Sequence, residues 1–274
     1  MEVCKKMKLS VFYHHICEAA QQSGKTVSEV IDIAKSLGIN YLEFDIADLK
    51  NDETAVFLYD SGMKISSVYG FYDFANSDDL GGAFYHCDRA AELGSEKIML
   101  IPGFYSANDK SVMESERKKM LSAMKKVCEY AHEKGLTPTI EDFDDFLSPI
   151  STSERMLDFV NEIPYLKVTF DTGNFMYSAE SENYAFERLR PYIVHVHCKD
   201  RSMTPDERCE MKCAVDGTEM YACPTGDGCA AVAHIVKELV KDGYDGIFTI
   251  EHFGAYDQLM FMKKSAENLR GMLE

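Results

Sequence analysis

The sequence predicts an α/β fold, a single closed (β/α)8 or TIM barrel that spans residues 1–274. Eight short β-rich runs alternate with amphipathic helical patterns, and a glycine that ends a helix precedes several of the runs. Strict alternation of this kind is typical of a parallel sheet with right-handed crossovers. Eight units fit a chain of 274 residues, because such barrels are typically about 250 residues long.

The strands are predicted where β-branched and aromatic residues concentrate in runs of five or six residues. These runs lie at residues 8–13, 40–45, 64–69, 97–101, 137–141, 167–171, 192–197 and 246–251. No Gly-x-Gly-x-x-Gly sequence follows the first run, which argues against a doubly wound dinucleotide-binding sheet.

Helices are predicted between the strands. "TVSEVIDIAKSLG" begins with Thr26 as N-cap, carries Glu29 three residues later as in a capping box, and stops at Gly38. The connection 198–226, after the seventh strand, is unusually long. We expect it to cover part of the barrel mouth, although a solvated excursion would look the same in sequence.

Composition excludes several classes of function. A net charge of −17 argues against a nucleic-acid partner, because binding to the phosphate backbone relies on Lys and Arg. No apolar run has the length of a membrane span or a signal peptide. Nine cysteines without a C-x-x-C pair indicate reduced thiols. We therefore predict a cytoplasmic protein with neither a nucleic-acid nor a membrane partner.

Four consecutive strands end on residues that can bind a metal: Glu141, Asp171, His197 and Glu251. In a parallel barrel the carboxyl ends of all strands meet at one face, where active sites lie. Three carboxylates gathered there would repel one another unless a cation lies between them. This set of mainly oxygen ligands predicts one bound divalent metal ion. We expect Mn²⁺, with Mg²⁺, Co²⁺ or Zn²⁺ as alternatives.

Strand parity predicts a polar layer beneath these ligands. Residues two positions earlier point to the same side of a strand, and here they are Thr139, Thr169, His195 and Thr249. Hydroxyls and an imidazole at these positions would orient the ligands by hydrogen bonds. Thr is also a good strand former, which is the alternative explanation for any one of the three.

The segments "TPTIED", "VTFDTGN", "VHVHCKD", "FTIEHF" and "PTGDG", in this order, resemble the xylose isomerase-like superfamily and its sugar phosphate isomerase/epimerase branch. The resemblance implies that the four ligands hold one metal and that Glu141 and Glu251 are the catalytic acid and base. It also implies that the protein acts on a carbohydrate or cyclitol by removing a proton next to a carbonyl, with an enediolate as the intermediate. An inosose-type dehydratase or lyase on the same site is the alternative.

The candidate substrate-binding residues surround the predicted metal site, namely Asn174, His195, Lys199, His14 and Tyr69. Many relatives have a histidine where this chain has Asn174, so we expect a single metal and no proton shuttle at that position. The alternative role of Lys199 is a salt bridge to a neighbouring acid. The alternative role of Tyr69 is packing in the apolar core. Glu43 is a weaker candidate for a substrate hydroxyl. Arg201 would bind the anionic group of a substrate that carries a phosphate or carboxylate, but a solvated loop charge is the role we expect for it.

Two rival functions are less well supported by the sequence. The DNA-repair endonuclease branch of the superfamily uses several zinc ions, and both Asn174 and the acidic charge argue against it. A non-catalytic sugar-binding barrel would have no need for two carboxylates across a metal. The resemblance also makes a homo-oligomer plausible.

Overall fold

The computed structural model describes residues 7–273, which form a closed barrel of eight parallel strands surrounded by helices. The barrel strands are β1 (Lys8–Phe12), β2 (Ile39–Asp45), β3 (Lys64–Phe71), β4 (Lys97–Ile101), β5 (Thr137–Ile140), β6 (Lys167–Asp171), β7 (Ile193–Lys199) and β11 (Ile247–Glu251). Each strand pairs with its neighbour in sequence, and β1 closes the barrel against β11. The predicted (β/α)8 architecture is confirmed.

Nine α-helices occur within residues 7–273 and pack around the barrel. They are α1 (Tyr13–Ser23), α2 (Val27–Ser36), α3 (Asp52–Ser61), α4 (Gly81–Glu92), α5 (Lys110–Glu133), α6 (Ser153–Glu162), α7 (Glu182–Leu189), α8 (Val232–Lys241) and α9 (Gln258–Gly271). Most of the apolar core lies between the helices and the strands. None of these helices is both long and apolar enough to cross a membrane.

The start of α2 shows the predicted capping box. The Thr26 hydroxyl accepts a hydrogen bond from the Glu29 backbone N–H at 3.2 Å, and the Glu29 carboxylate accepts one from the Thr26 backbone N–H at 2.8 Å. These two bonds satisfy N–H groups that have no partner inside the helix.

We expect the substitution Thr26→Ala to lower the free energy of unfolding by about 1 kcal/mol, because one of these bonds is lost. Urea denaturation followed by circular dichroism measures the change. Ser28→Ala, on the exposed side of the same helix, is the control and should cause no such loss. Equal stability of Thr26→Ala and wild type would show that the cap contributes nothing.

The connection after β7 is folded and reaches the barrel mouth, as predicted. It contains a three-stranded antiparallel sheet made of β8 (Arg201–Ser202), β10 (Glu219–Ala222) and β9 (Met211–Cys213). The Asp200 carboxylate anchors this connection by accepting hydrogen bonds from the backbone N–H groups of Gly226, Gly228 and Ala230. A Cβ at Gly228 would lie 2.2 Å from Oδ1 of Asp200, so this anchor requires glycine.

The interior of the barrel is polar where strand parity predicts it. Thr139, Thr169, His195 and Thr249 are all fully buried. The Thr169 hydroxyl donates to the Thr139 hydroxyl at 2.8 Å, and Thr249 Oγ1 lies 3.1 Å from His195 Nε2. The layer beneath the predicted ligands therefore contains two hydrogen-bonded pairs, Thr139 with Thr169 and His195 with Thr249.

Candidate metal centre and active site

The four predicted metal ligands converge at the carboxyl ends of the strands. Glu141, Asp171, His197 and Glu251 are buried, and one ligand atom from each lies within 4.8 Å of the others. Asp171 and Glu251 are the last residues of β6 and β11, Glu141 directly follows β5, and His197 lies near the end of β7. Barrel closure brings together side chains that are up to 110 residues apart (251 − 141).

The turn after β6 fixes the orientation of Asp171. Its Oδ1 accepts hydrogen bonds from the backbone N–H groups of Gly173 at 2.6 Å and Asn174 at 2.7 Å. Its Oδ2 is buried and has no hydrogen-bond partner in the described part of the chain. A Cβ at Gly173 would lie 3.0 Å from the carbonyl oxygen of Lys199, so the glycine allows β7 to approach this turn closely. One carboxylate oxygen is thus held by the backbone and the other is left for a ligand.

His197 bridges two groups of carboxylates. Its Nδ1 contacts Glu141 Oε1 and lies 3.2 Å from Glu251 Oε2. On the opposite edge of the ring, Nε2 lies 3.0 Å from Glu43 Oε1, a close contact that lacks the angle of a good hydrogen bond. Nδ1 is therefore the nitrogen that faces the ligand cluster, and Glu43 supports the ring from behind.

Lys199 lies on the other side of the cluster. Its Nζ is 2.5 Å from Glu251 Oε1, 3.9 Å from Asp171 Oδ2 and 2.6 Å from Asn174 Oδ1. The predicted alternative role of Lys199, a salt bridge to a neighbouring acid, is therefore present. Burial opposes ionisation of Glu251, but Lys199 and His197 outweigh it and lower the pKa of that carboxyl.

The remaining acids of the cluster hold their protons more tightly. Burial raises the pKa of Glu141, although His197 opposes this effect. Burial, followed by repulsion from Glu251 and Glu141, raises the pKa of Asp171 well above its usual range, with Lys199 opposing. Burial disfavours protonated His197, but Glu141 and Glu43 outweigh it and raise its pKa well above the ordinary value.

The cluster fits a divalent cation. Within residues 7–273, Oδ2 of Asp171 is buried without a hydrogen-bond partner, and Oε2 of Glu251 has only the 3.2 Å contact with His197 Nδ1. Orphaned carboxylate oxygens are costly in a protein interior, and a cation between them would remove that cost. Three carboxylates and one imidazole form a mainly oxygen donor set, which suits Mn²⁺ or Mg²⁺.

Two further buried acids, Asp142 and Glu43, lie near the cluster. Asp142 is fully buried, and neither of its carboxylate oxygens has a hydrogen-bond partner. Burial and repulsion from Asp171 and Glu141 raise its pKa well above the usual range. In the sequence, the sign that Asp142 lies near the site is its position directly after Glu141. Glu43, suggested as a contact for a substrate hydroxyl, instead accepts hydrogen bonds from His195 at 2.9 Å and Thr249 at 3.0 Å inside the barrel.

A cavity of about 450 Å³ opens above the cluster. Both candidate catalytic residues, Glu141 and Glu251, line it. One part of its wall is apolar and includes Phe12, Tyr69, Phe71, Phe143 and Phe253, and its polar lining includes His14, Asn174, Lys199, Arg201 and Lys212. Four of the candidate substrate-binding residues therefore face this space.

Two sequence-based expectations need correction. His195 lies beneath the metal ligands, fully buried and bonded to Glu43 and Thr249. Its position fits the supporting layer and not a contact with substrate. Arg201, expected to be a solvated charge, is buried and lines the cavity. The short strand β8 and the anchor at Asp200 draw it inward, and local sequence carries no signal for that.

The chain is similar in sequence to several known proteins. Over 151 residues the chain is 24% identical to a 3-dehydroshikimate dehydratase of Bacillus anthracis, which covers 53% of this chain and 52% of that protein. The curated relatives are matched over only 52–60% of their own lengths.

Solved structures match over nearly the whole chain. A D-allulose 3-epimerase from Methylomonas sp. in complex with D-allulose is 15% identical, with a TM-score of 0.72 and 97% of both chains covered. A Mycobacterium smegmatis protein in complex with magnesium is 16% identical, with a TM-score of 0.69, covering 98% of this chain and 97% of that one. At these identities the likeness establishes the fold alone.

The family model described as "Xylose isomerase-like TIM barrel" matches residues 31–272. This match covers most of the chain and includes all four candidate metal ligands. It confirms the resemblance inferred from the strand-end motifs. The chain belongs to the xylose isomerase-like TIM barrel family.

Proposed function

We propose that this protein is a metal-dependent isomerase or epimerase that acts on a carbohydrate or cyclitol by removing a proton next to a carbonyl. One observation carries the proposal: Glu141 and Glu251 both line the cavity while belonging to the same buried cluster of potential metal ligands. The preferred metal would be Mn²⁺, and Mg²⁺, Co²⁺ or Zn²⁺ are the alternatives. When bound, the metal would act as a Lewis acid toward the substrate oxygens and stabilise the negative charge of an enediolate.

Lys199 separates the roles of the two glutamates. Its ammonium group lies against Glu251 and favours the ionised carboxylate, which is the form that accepts a proton. Glu141 contacts His197 and not Lys199, and burial raises the pKa of its carboxyl. Two carboxyl groups whose environments move their pKa values apart are a common basis for acid and base assignments. Glu251 is therefore proposed as the base and Glu141 as the acid.

The other residues of the cavity would bind and enclose the substrate. Asn174 and Lys199 present polar groups beside the catalytic glutamates, and His14 lies at the same opening. The aromatic side chains around Tyr69 offer an apolar surface against a sugar or cyclitol ring and exclude water from the reacting carbon.

A dehydratase is the second candidate. The same proton abstraction followed by loss of a β-hydroxyl would release water instead of producing an epimer. The sequence similarity to a 3-dehydroshikimate dehydratase supports this candidate, and Glu141 would then donate the proton to the leaving oxygen. The shared first step explains why one site supports both reactions.

The test is a panel of ketoses, aldoses, inososes and 3-dehydroshikimate, incubated with Mn²⁺-loaded protein in D₂O. Deuterium uptake, measured by mass spectrometry and NMR, reports proton abstraction, and a new conjugated chromophore reports dehydration. We expect metal-dependent exchange at the carbon next to the carbonyl of at least one compound. Binding of these compounds with no exchange in any of them would instead support a non-catalytic sugar-binding barrel.

A further inference from the structure

Arg201 is a buried cation with no anionic partner among residues 7–273. Only 5% of its surface is exposed, and it lines the cavity above the candidate metal centre. Nη1 donates to the carbonyl oxygen of Phe253 at 3.3 Å, and the guanidinium lies 5.5 Å from the ring centroid of Tyr177. Nε is buried without any hydrogen-bond partner. Within residues 7–273, no carboxylate oxygen lies within 4.0 Å of its nitrogens.

The other buried arginine in the described part of the chain shows what is missing. Arg89 is 9% exposed, and its guanidinium contacts Asp52 and Glu92, each at 2.8 Å. A guanidinium stays charged at every physiological pH, and a buried charge without a partner is strongly unfavourable. The environment of Arg201 is therefore incomplete in a way that the environment of Arg89 is not.

Two acids of the cavity wall are paired with cations other than Arg201. Asp144, which lines the same cavity, contacts Lys212 Nζ at 2.8 Å. Glu251 contacts Lys199 at 2.5 Å. Lys212 Nζ lies 5.0 Å from the ring centroid of Tyr177, and the Arg201 guanidinium lies near the same ring. Lys212 and Arg201 therefore belong to the same part of the cavity wall. Of the three Lys and Arg side chains in the cavity lining, Arg201 alone has no carboxylate oxygen within 4.0 Å among residues 7–273.

We propose that the substrate carries an oxyanion, a carboxylate or a phosphate, and that Arg201 binds it. This inference rests on the proposed function, since it names the class of substrate for the same cavity. Arginine matches the geometry of both oxyanions. A keto acid or a sugar phosphate fits this cavity better than a neutral sugar of the same size.

The test compares matched anionic and neutral ligands by calorimetric titration of the Mn²⁺-loaded protein. The probes are 3-dehydroshikimate against 2-keto-myo-inositol for a carboxylate, and D-fructose 6-phosphate against D-fructose for a phosphate. We expect one anionic probe to bind at least about tenfold more tightly than its neutral counterpart, as is typical of a hydrogen bond to a charged group. Arg201→Gln should remove this preference without weakening the neutral probe, and Arg201→Lys should restore part of it.

Arg208→Gln is the matched control, because it removes the same charge from the same connection at a residue paired with Asp206 outside the cavity lining. It should leave the preference unchanged. Equal binding of anionic and neutral probes, no binding by either anionic probe, or equal weakening of both classes by Arg201→Gln would overturn the inference. Deuterium exchange on neutral sugars alone would support the proposed function and refute the proposal that the substrate carries an oxyanion. Absence of exchange with every compound would refute the proposed function, but the binding comparison between anionic and neutral probes would still stand.

Discussion

Replacing Glu251 with glutamine is expected to abolish metal-dependent proton exchange, with a loss of about 10²–10⁴-fold or more, the usual contribution of a general base. Glutamine keeps the shape of the side chain but cannot accept the proton. The rate of deuterium uptake into the best substrate of the panel, measured at saturating Mn²⁺, reports the loss. Glu251 also belongs to the ligand cluster, so Mn²⁺ affinity is measured in parallel to separate weaker metal binding from a missing base.

Glu210→Gln is the matched control for this variant. Glu210 lines the same cavity but lies outside the ligand cluster and is solvent-exposed, so its neutralisation should change the exchange rate little. Full exchange activity in Glu251→Gln would refute the assignment of this residue as the base. Thermal unfolding of both variants should show that the fold persists, because the isosteric change leaves the packing of β11 intact.

The fold was predictable because its determinants are local or follow from a general rule. Strand propensity and the glycines that end helices mark the eight strand–helix units in the sequence. Closing a parallel sheet into a barrel then places the carboxyl ends of all strands at one face. The four candidate ligands could be identified for the same reason, since each lies at or near a strand end that the sequence already marks. Their convergence required only the barrel topology.

The supporting contacts were harder to predict, because they depend on which strands face each other across the barrel. Glu43 and His195 are 152 residues apart and meet only through the curvature of the sheet. Arg201 is buried because a later segment, 226–230, folds back onto the neighbouring Asp200. Neither arrangement has a periodicity or spacing that marks it in the sequence.

Glu43 places a carboxylate directly behind His197, on the side of the ring that faces away from the other candidate ligands. The Glu43 carboxylate bonds to His195 and Thr249 with Oε2, and its Oε1 lies 3.0 Å from His197 Nε2. Burial opposes ionisation of Glu43, but the two histidines outweigh it and lower its pKa. A carboxylate behind a ligating histidine fixes the tautomer and the direction of the ring and raises the basicity of the ligand.

We therefore expect Glu43→Gln to weaken Mn²⁺ binding by about 10–100-fold, the usual effect of removing such a partner, although this residue does not line the cavity. Calorimetric titration of the purified apoprotein measures the change. Glu116→Gln is the control for neutralising a buried glutamate, since Glu116 bonds to Ser106 away from the barrel interior. If both variants bind Mn²⁺ like the wild type, His197 is oriented by packing against Phe12 and the carboxylate behind it has no part in metal binding.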